Sequence, residues 1–237
     1  MTFERGIWAE AFLNTKKIFY MLAIIVVLAV GLSLAQDTWK IGSAGNAGLA
    51  FAWLQLAILA HMTILKNQPG ITVDQKGKYL GAFFGTSLLL SLGPLLFAAL
   101  AAAATYKFGE GIMFLSALIV YAVFELLVLA KWGTRYPAMV AGGDRTFNTA
   151  ASRGNQTFGY VFWRLLVCNA PIILASFVLL FYAISSSNND AAIWTKAGGL
   201  DVLMLCAEII FNAAFAFQIV LLATILSRAY LIAESKT

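Results

Sequence analysis

Five side chains set within long apolar runs are the first candidates for chemistry: His61, Glu125, Arg164, Glu208 and Asn212. Ionisable groups are costly inside a bilayer, so each calls for a partner or a function. Glu125 and Arg164 fall at similar depth in the span assignment below, and opposite charges lower each other's burial cost. Together with His61, the only histidine, they could form a proton or substrate site. As a bare ion pair they would fix helix arrangement. Glu208 and Asn212 are four residues apart and share a helix face. With Gln55, Asn169 and Gln218 they read either as the lining of a polar cavity or as hydrogen bonds between helices.

Catalytic and metal signatures are sparse. A zinc site needs more ligands than His61, Cys168 and Cys206 supply. The sequence has no His-Glu-x-x-His, no Gly-x-Ser-x-Gly, no phosphate-cradling Gly-Lys-Ser/Thr loop and no pair of closely spaced Asp residues for Mg²⁺-diphosphate binding. One histidine excludes bis-histidine haem, though His61 could ligate a pigment. We expect no enzyme activity, no metal and no resident cofactor.

The elements that must position these residues follow from composition. Of 237 residues, 61% are hydrophobic and 11% charged, against roughly 45–50% and 25% in soluble domains. Mean hydropathy is +0.84. A water-soluble fold of this size cannot hide so much apolar surface, and a disordered chain would not carry it. The chain is read as a single integral membrane domain over 1–237. It is expected to be an all-α polytopic bundle with six spans: 18–35, 46–65, 80–104, 110–131, 160–184 and 200–226. The runs are apolar on every face, which excludes barrel strands.

Charge sets the expected orientation. All Lys and Arg except Lys40, Lys107 and Lys196 fall on one side of these spans, so both termini are expected in the cytoplasm. The pI of 9.2 then reflects contact with anionic lipid rather than nucleic acid. Lys16, Lys17, an apolar run and Ser33-Leu34-Ala35 imitate a cleavable signal. The polar lead is long for one, and the run is read as a retained span.

Several local features are also legible. Phe3, Ile7, Trp8, Ala11, Phe12 and Ile18 recur at helical spacing against Glu4, Arg5, Glu10, Asn14 and Lys17, which predicts an amphipathic interfacial helix. The outer loops Asp37–Gly45 and Thr105–Gly109 are short, Ser185–Gly199 is the one sizeable outer loop, and none offers a binding domain. Between spans four and five, Pro137 should end or kink the fourth helix and Gly142-Gly143 should break the chain. Asp144 should cap a second short helix that Gly154 interrupts before the fifth span. Pro94 and Pro171 predict kinks. Gly81-x-x-x-Gly85 predicts a helix-packing face. Trp8, Phe12, Arg135, Arg145 and Arg153 are the candidate docking or lipid-headgroup surface. For the arginines, positive-inside anchoring is the favoured reading over a docking role.

The stretch 126–166 carries Arg135 and Pro137 after a span, the Gly142-Gly143 break, an Ala-containing helix and Arg164-Leu165-Leu166 opening the next span. It resembles poorly characterised bacterial six-span membrane proteins, some similar to the membrane domain fused to certain glycerophosphodiester phosphodiesterases. Gly81–Leu92 has similar character. The likeness covers about a third of the chain and brings no phosphodiesterase domain with it. These readings lead to an expected non-catalytic accessory, assembly or scaffolding subunit of a bacterial inner membrane, packing against a partner complex or lipid. The alternative is a small-solute or lipid transporter using Glu125, Arg164, His61 and Glu208, with Pro94 and Pro171 as hinges.

Overall fold

The computed structural model describes residues 6–39, 44–66, 79–186 and 201–236. Every regular element among them is helical. The order is α1 (Ile7–Lys17), α2 (Phe19–Trp39), α3 (Ala44–Leu65), α4 (Leu80–Thr105), a 3-10 turn (Tyr106–Phe108), α5 (Glu110–Trp132), α6 (Arg135–Ala141), α7 (Phe147–Ser186) and α8 (Val202–Glu234). Five of these are long and apolar enough to cross a membrane alone. The pair α1 and α2, bent by 81°, passes the same test only when taken together, which gives five or six candidate spans. The protein is thus an all-α, polytopic membrane protein. Lys40, Lys76, Lys78 and Lys196, the stretch 187–199 of the last outer loop, and Phe3, Glu4 and Arg5 lie outside the described residues.

Helix α1 forms as its periodicity dictates. Ile7 and Ala11 are buried as expected, but Asn14, expected on the polar face, is buried with them; Glu10 lies in the first turn, and Lys16 and Lys17 lie in the last, matching the helix dipole. It ends at Ile18, whose N–H reaches back to the carbonyls of Asn14 and Thr15, each at 3.2 Å. The chain then turns into α2. This is the geometry of a helix lying across the mouth of a span.

The chain gathers into two compact units, Ile64–Leu166 with Ile225–Thr237, and Phe3–Thr63 with Val167–Thr224. In the first, α4 and α5 form a hairpin. Gly109, at φ 104°, makes the reversal, and Thr105 Oγ1 lies 2.7 Å from Ser116 Oγ. Phe97 stacks on Phe124 at 4.0 Å. Pro94 lies inside α4 and Pro171 inside α7, each helix continuing through its proline.

Three expectations about the segment after α5 are corrected. Helix α5 ends at Gly133, not at Pro137, which occupies the first turn of α6 where a missing N–H costs nothing. Gly142, in the left-handed region at φ 71°, closes α6, with Gly143 N–H donating to Ala138 O at 3.0 Å. The cap of α7 is Thr146 rather than Asp144: Thr146 Oγ1 accepts the Thr149 N–H at 3.3 Å. Asp144 stands two residues upstream and accepts from Thr146 N–H at 2.9 Å and from Thr149 Oγ1 at 2.6 Å.

The short inner helix and the fifth span are one helix of 40 residues, about 60 Å long. Gly154 does not interrupt it. A Cβ there would collide with the main-chain carbonyl of Lys131, so the glycine lets α7 lie against the end of α5. Gly133 plays the same part, for a Cβ there would meet Leu129 O and the Leu226 side chain. Helix α8 runs past the expected Leu226 to Glu234, because Ala229, Tyr230, Leu231 and Ala233 are all buried.

In the second unit, the buried faces of α1, α2, α3 and α8 contribute Ala11, Leu22, Ile25, Leu56, Ala60, Val220 and Leu221. Trp53 meets Phe215 edge to face at 5.1 Å.

Candidate functional site

Glu125 and Arg164 belong to the first unit, and His61, Glu208 and Asn212 to the second. His61 on α3 is 3% exposed, so its ring is enclosed by protein rather than presented to a large pigment.

The expected Glu125–Arg164 pair is not formed. Arg164 is exposed, with its guanidinium 5.6 Å over the ring of Tyr160, one turn earlier on α7. Glu125 is half-buried and its Oε2 is sealed without a hydrogen-bond partner. Its neighbours are phenols instead. Tyr121 lies one turn earlier on α5, with Ser91 of α4 acting on its phenol, and Tyr136 of α6 shares a 3.1 Å bond with Ser87. Burial pushes the Tyr136 phenol up to about 12, with the Glu125 charge adding to the rise. Sequence reasoning missed this row of hydroxyls. Ser87 and Ser91 are spaced one turn apart on α4, which was the available signal.

Glu208 and Asn212 do come together. Asn212 Nδ2 donates to Glu208 Oε1 at 3.0 Å and to its main-chain oxygen at 2.9 Å. The same Oε1 accepts from Ser33 Oγ of α2 at 2.7 Å. This ties α2 to α8, the interhelical hydrogen bonding that the spacing suggested. Gln218 lines a separate, mostly apolar cavity of about 130 Å³ with Ile173, Ser176, Phe211 and Phe215.

The candidate docking residues divide in the same way. Trp8 and Phe12 meet Phe217 of α8 in tilted ring contacts at 5.7 and 4.8 Å, although Phe12 stays 59% exposed. Arg153 is not a surface residue, since its side chain is 7% exposed. Nε donates to Glu234 Oε1 at 2.6 Å, Nη1 donates to Asp144 O at 2.7 Å, and the guanidinium lies 5.0 Å over Tyr230. It is a fastener between the start of α7 and the end of α8.

Arg135 and Arg145 remain, and they mark the most unusual geometry in the first unit. The Arg135 guanidinium lies 3.8 Å over the ring of Phe147. Its Nε and Nη1 are sealed and have no acceptor. No carboxylate pairs with it among the described residues. Burial, and then the nearby Arg145 charge, hold its pKa below the usual guanidinium value, while Tyr136 acts the other way. A guanidinium nevertheless stays charged at any physiological pH. Arg145 is exposed.

Phe147 also borders a groove of about 510 Å³. Leu89, Leu90 and Gly93 of α4, Val128 and Trp132 of α5, and Asn148 and Ala151 of α7 make the rest of its wall. Its volume is in the range of small-ligand sites, about 300–1,000 Å³. Comparison with known families, curated proteins and solved structures finds no match. The likeness read over 126–166 therefore rests on those residues alone.

Proposed function

We propose that this chain is a non-catalytic accessory or scaffolding protein of a bacterial cytoplasmic membrane, with both termini inside. It works by packing its helices against a partner membrane protein. The inward orientation is supported by the distribution of Lys and Arg along the sequence. The observation that carries the packing role is the surface of the α4–α5 hairpin. Only 11% of the α4 span and 6% of the α5 span are buried within the chain, against 44% of α8. On that surface, Gly81 and Gly85 would accept a Cβ with nothing within 4 Å, so among the described residues no helix packs on the small-residue face. Without side chains in the way, a neighbouring helix can approach the backbone closely.

Photo-crosslinking in native membranes tests this. A crosslinker placed at Gly85 should give one discrete protein adduct, and Gly81→Leu should abolish it. Adducts to lipid alone at Gly85 would overturn the role.

The Glu125 geometry favours a second reading, a proton- or solute-coupled permease, because a sealed carboxylate oxygen beside two tyrosines is a costly arrangement to keep without use. In proteoliposomes carrying a pH-sensitive dye, Glu125→Gln should then abolish coupled proton movement. Unchanged movement in Glu125→Gln would remove this reading.

A further inference from the structure

We propose that Arg135, Arg145 and the groove beside Phe147 form a binding site for an anionic phospholipid, with the phosphate on the arginines and an acyl chain in the groove. This goes beyond the packing role and does not depend on it.

The argument begins with charge. Arg135 cannot shed its proton, and two of its donor nitrogens are sealed without acceptors. The ring of Phe147 compensates the charge only in part. The charged group placed to act on it most strongly is Arg145, of the same sign. Asp144, next in sequence to Arg145, commits its carboxylate to Thr146 and Thr149. Lys131 is engaged with Asn155, and Arg153 with Glu234. Arg135, whose sealed nitrogens have no acceptor, and the exposed Arg145, whose charge acts on it, call for an anion at a membrane surface. Phosphate suits the site because its charged oxygens accept charge-assisted N–H···O bonds from more than one arginine. Nη2 is the Arg135 nitrogen left unsealed to begin that contact.

The apolar groove then selects the kind of phosphate. Phe147 is a wall common to both parts, supporting the guanidinium on its ring and bordering the groove. A ligand filling both must carry a negative headgroup within a ring's thickness of a hydrocarbon chain. Leu89, Leu90, Val128 and Trp132 offer the chain an apolar bed. A free phosphate would leave that bed unused, and a zwitterionic lipid would bring a second cation towards two arginines.

The test uses the purified full-length chain in native mass spectrometry, with phosphatidylglycerol, phosphatidylcholine or inorganic phosphate supplied separately. Phosphatidylglycerol should be retained over phosphatidylcholine. Arg135→Gln and Arg145→Gln should each weaken retention by about tenfold, the loss expected for a charge-assisted bond. Arg145 is exposed, so its variant keeps the test open if Arg135→Gln does not fold. Gly93→Leu, which fills the groove, should weaken retention of the lipid with both arginines intact. Equal retention of the two lipids, or no loss in Arg145→Gln and Gly93→Leu, would overturn the site. So would displacement of the lipid by inorganic phosphate at equal concentration, which would make it a plain anion site.

Discussion

Arg153 and Glu234, 81 residues apart in the chain, meet through a 2.6 Å bond from Nε to Oε1. The arginine is buried, whereas the glutamate is 41% exposed. Solvent therefore screens the pair, and a double-mutant cycle in detergent should give a coupling of about 1 kcal/mol or less. Arg153→Ala should cost more than Glu234→Gln, about 1–3 kcal/mol, because it also leaves the Asp144 carbonyl and the Tyr230 ring without their partner. Equal losses in thermal unfolding would contradict this division.

Gly154 and Gly85 both lie within helices, yet replacement by alanine should have opposite effects. At Gly154 the new methyl collides with the Lys131 carbonyl, and backbone cannot yield as a flexible side chain can. A loss of about 1–3 kcal/mol is expected from such overpacking. At Gly85 nothing stands in the way, and alanine's helix propensity should stabilise slightly, by up to about 1 kcal/mol. Melting temperatures of the two variants side by side would decide it.

Asp144 should give the start of α7 a pH dependence. Bonds from the Thr149 hydroxyl and the Thr146 N–H favour its carboxylate, and so hold its pKa below the ordinary 3.8. A depressed folded value means that the stabilisation is present in full above the unfolded pKa. It is lost as pH falls through the folded one. Unfolding followed from pH 6 down to about pH 3 should show this loss in the parent, and Asp144→Asn should lack it. Parallel curves for the two proteins would sink the assignment.

Ser33, Glu208 and Asn212 form a hydrogen-bonded trio within the second unit. Gln keeps an acceptor oxygen at position 208, so Glu208→Gln should fall within about 1 kcal/mol of the parent. Glu208→Leu leaves the Ser33 hydroxyl without its acceptor, while Asn212 keeps only the main-chain oxygen, and should cost about 1–3 kcal/mol. Proton-transfer assays should not distinguish Glu208→Gln from the parent, since these bonds hold helices together. A transport defect in Glu208→Gln with normal stability would show otherwise.

Much of this fold was legible because it is local. Long apolar runs fixed five helices to within a few residues at most ends. The period of Ile7 and Ala11 against Glu10 and Lys17 marked α1 as amphipathic, although Asn14, read on its polar face, is buried. Gly142-Gly143 marked the end of α6, and Gly109 fell in the expected tight turn. Errors arose where a residue's usual behaviour met a tertiary demand. Gly154 has low helix propensity, and so read as a break. Its missing side chain is what lets a continuous α7 reach the Lys131 carbonyl. Pro137 read as a terminator, although the first turn of α6 tolerates it.

For the candidate site, the sequence located the charges but could not pair them. Helical spacing puts Glu208 and Asn212 on one face, and that pair was readable. Whether Glu125 meets Arg164, or Arg153 meets Glu234, depends on how each helix is rotated about its axis and how far it slides along its neighbour. Those two quantities are set by side-chain packing between distant segments. The sequence by itself determined that this chain crosses a membrane as helices, because hydrophobicity and backbone hydrogen bonding are satisfied within each segment. Only the tertiary structure decided which arginine is spent as a fastener and which keeps an unmet charge beside an apolar groove.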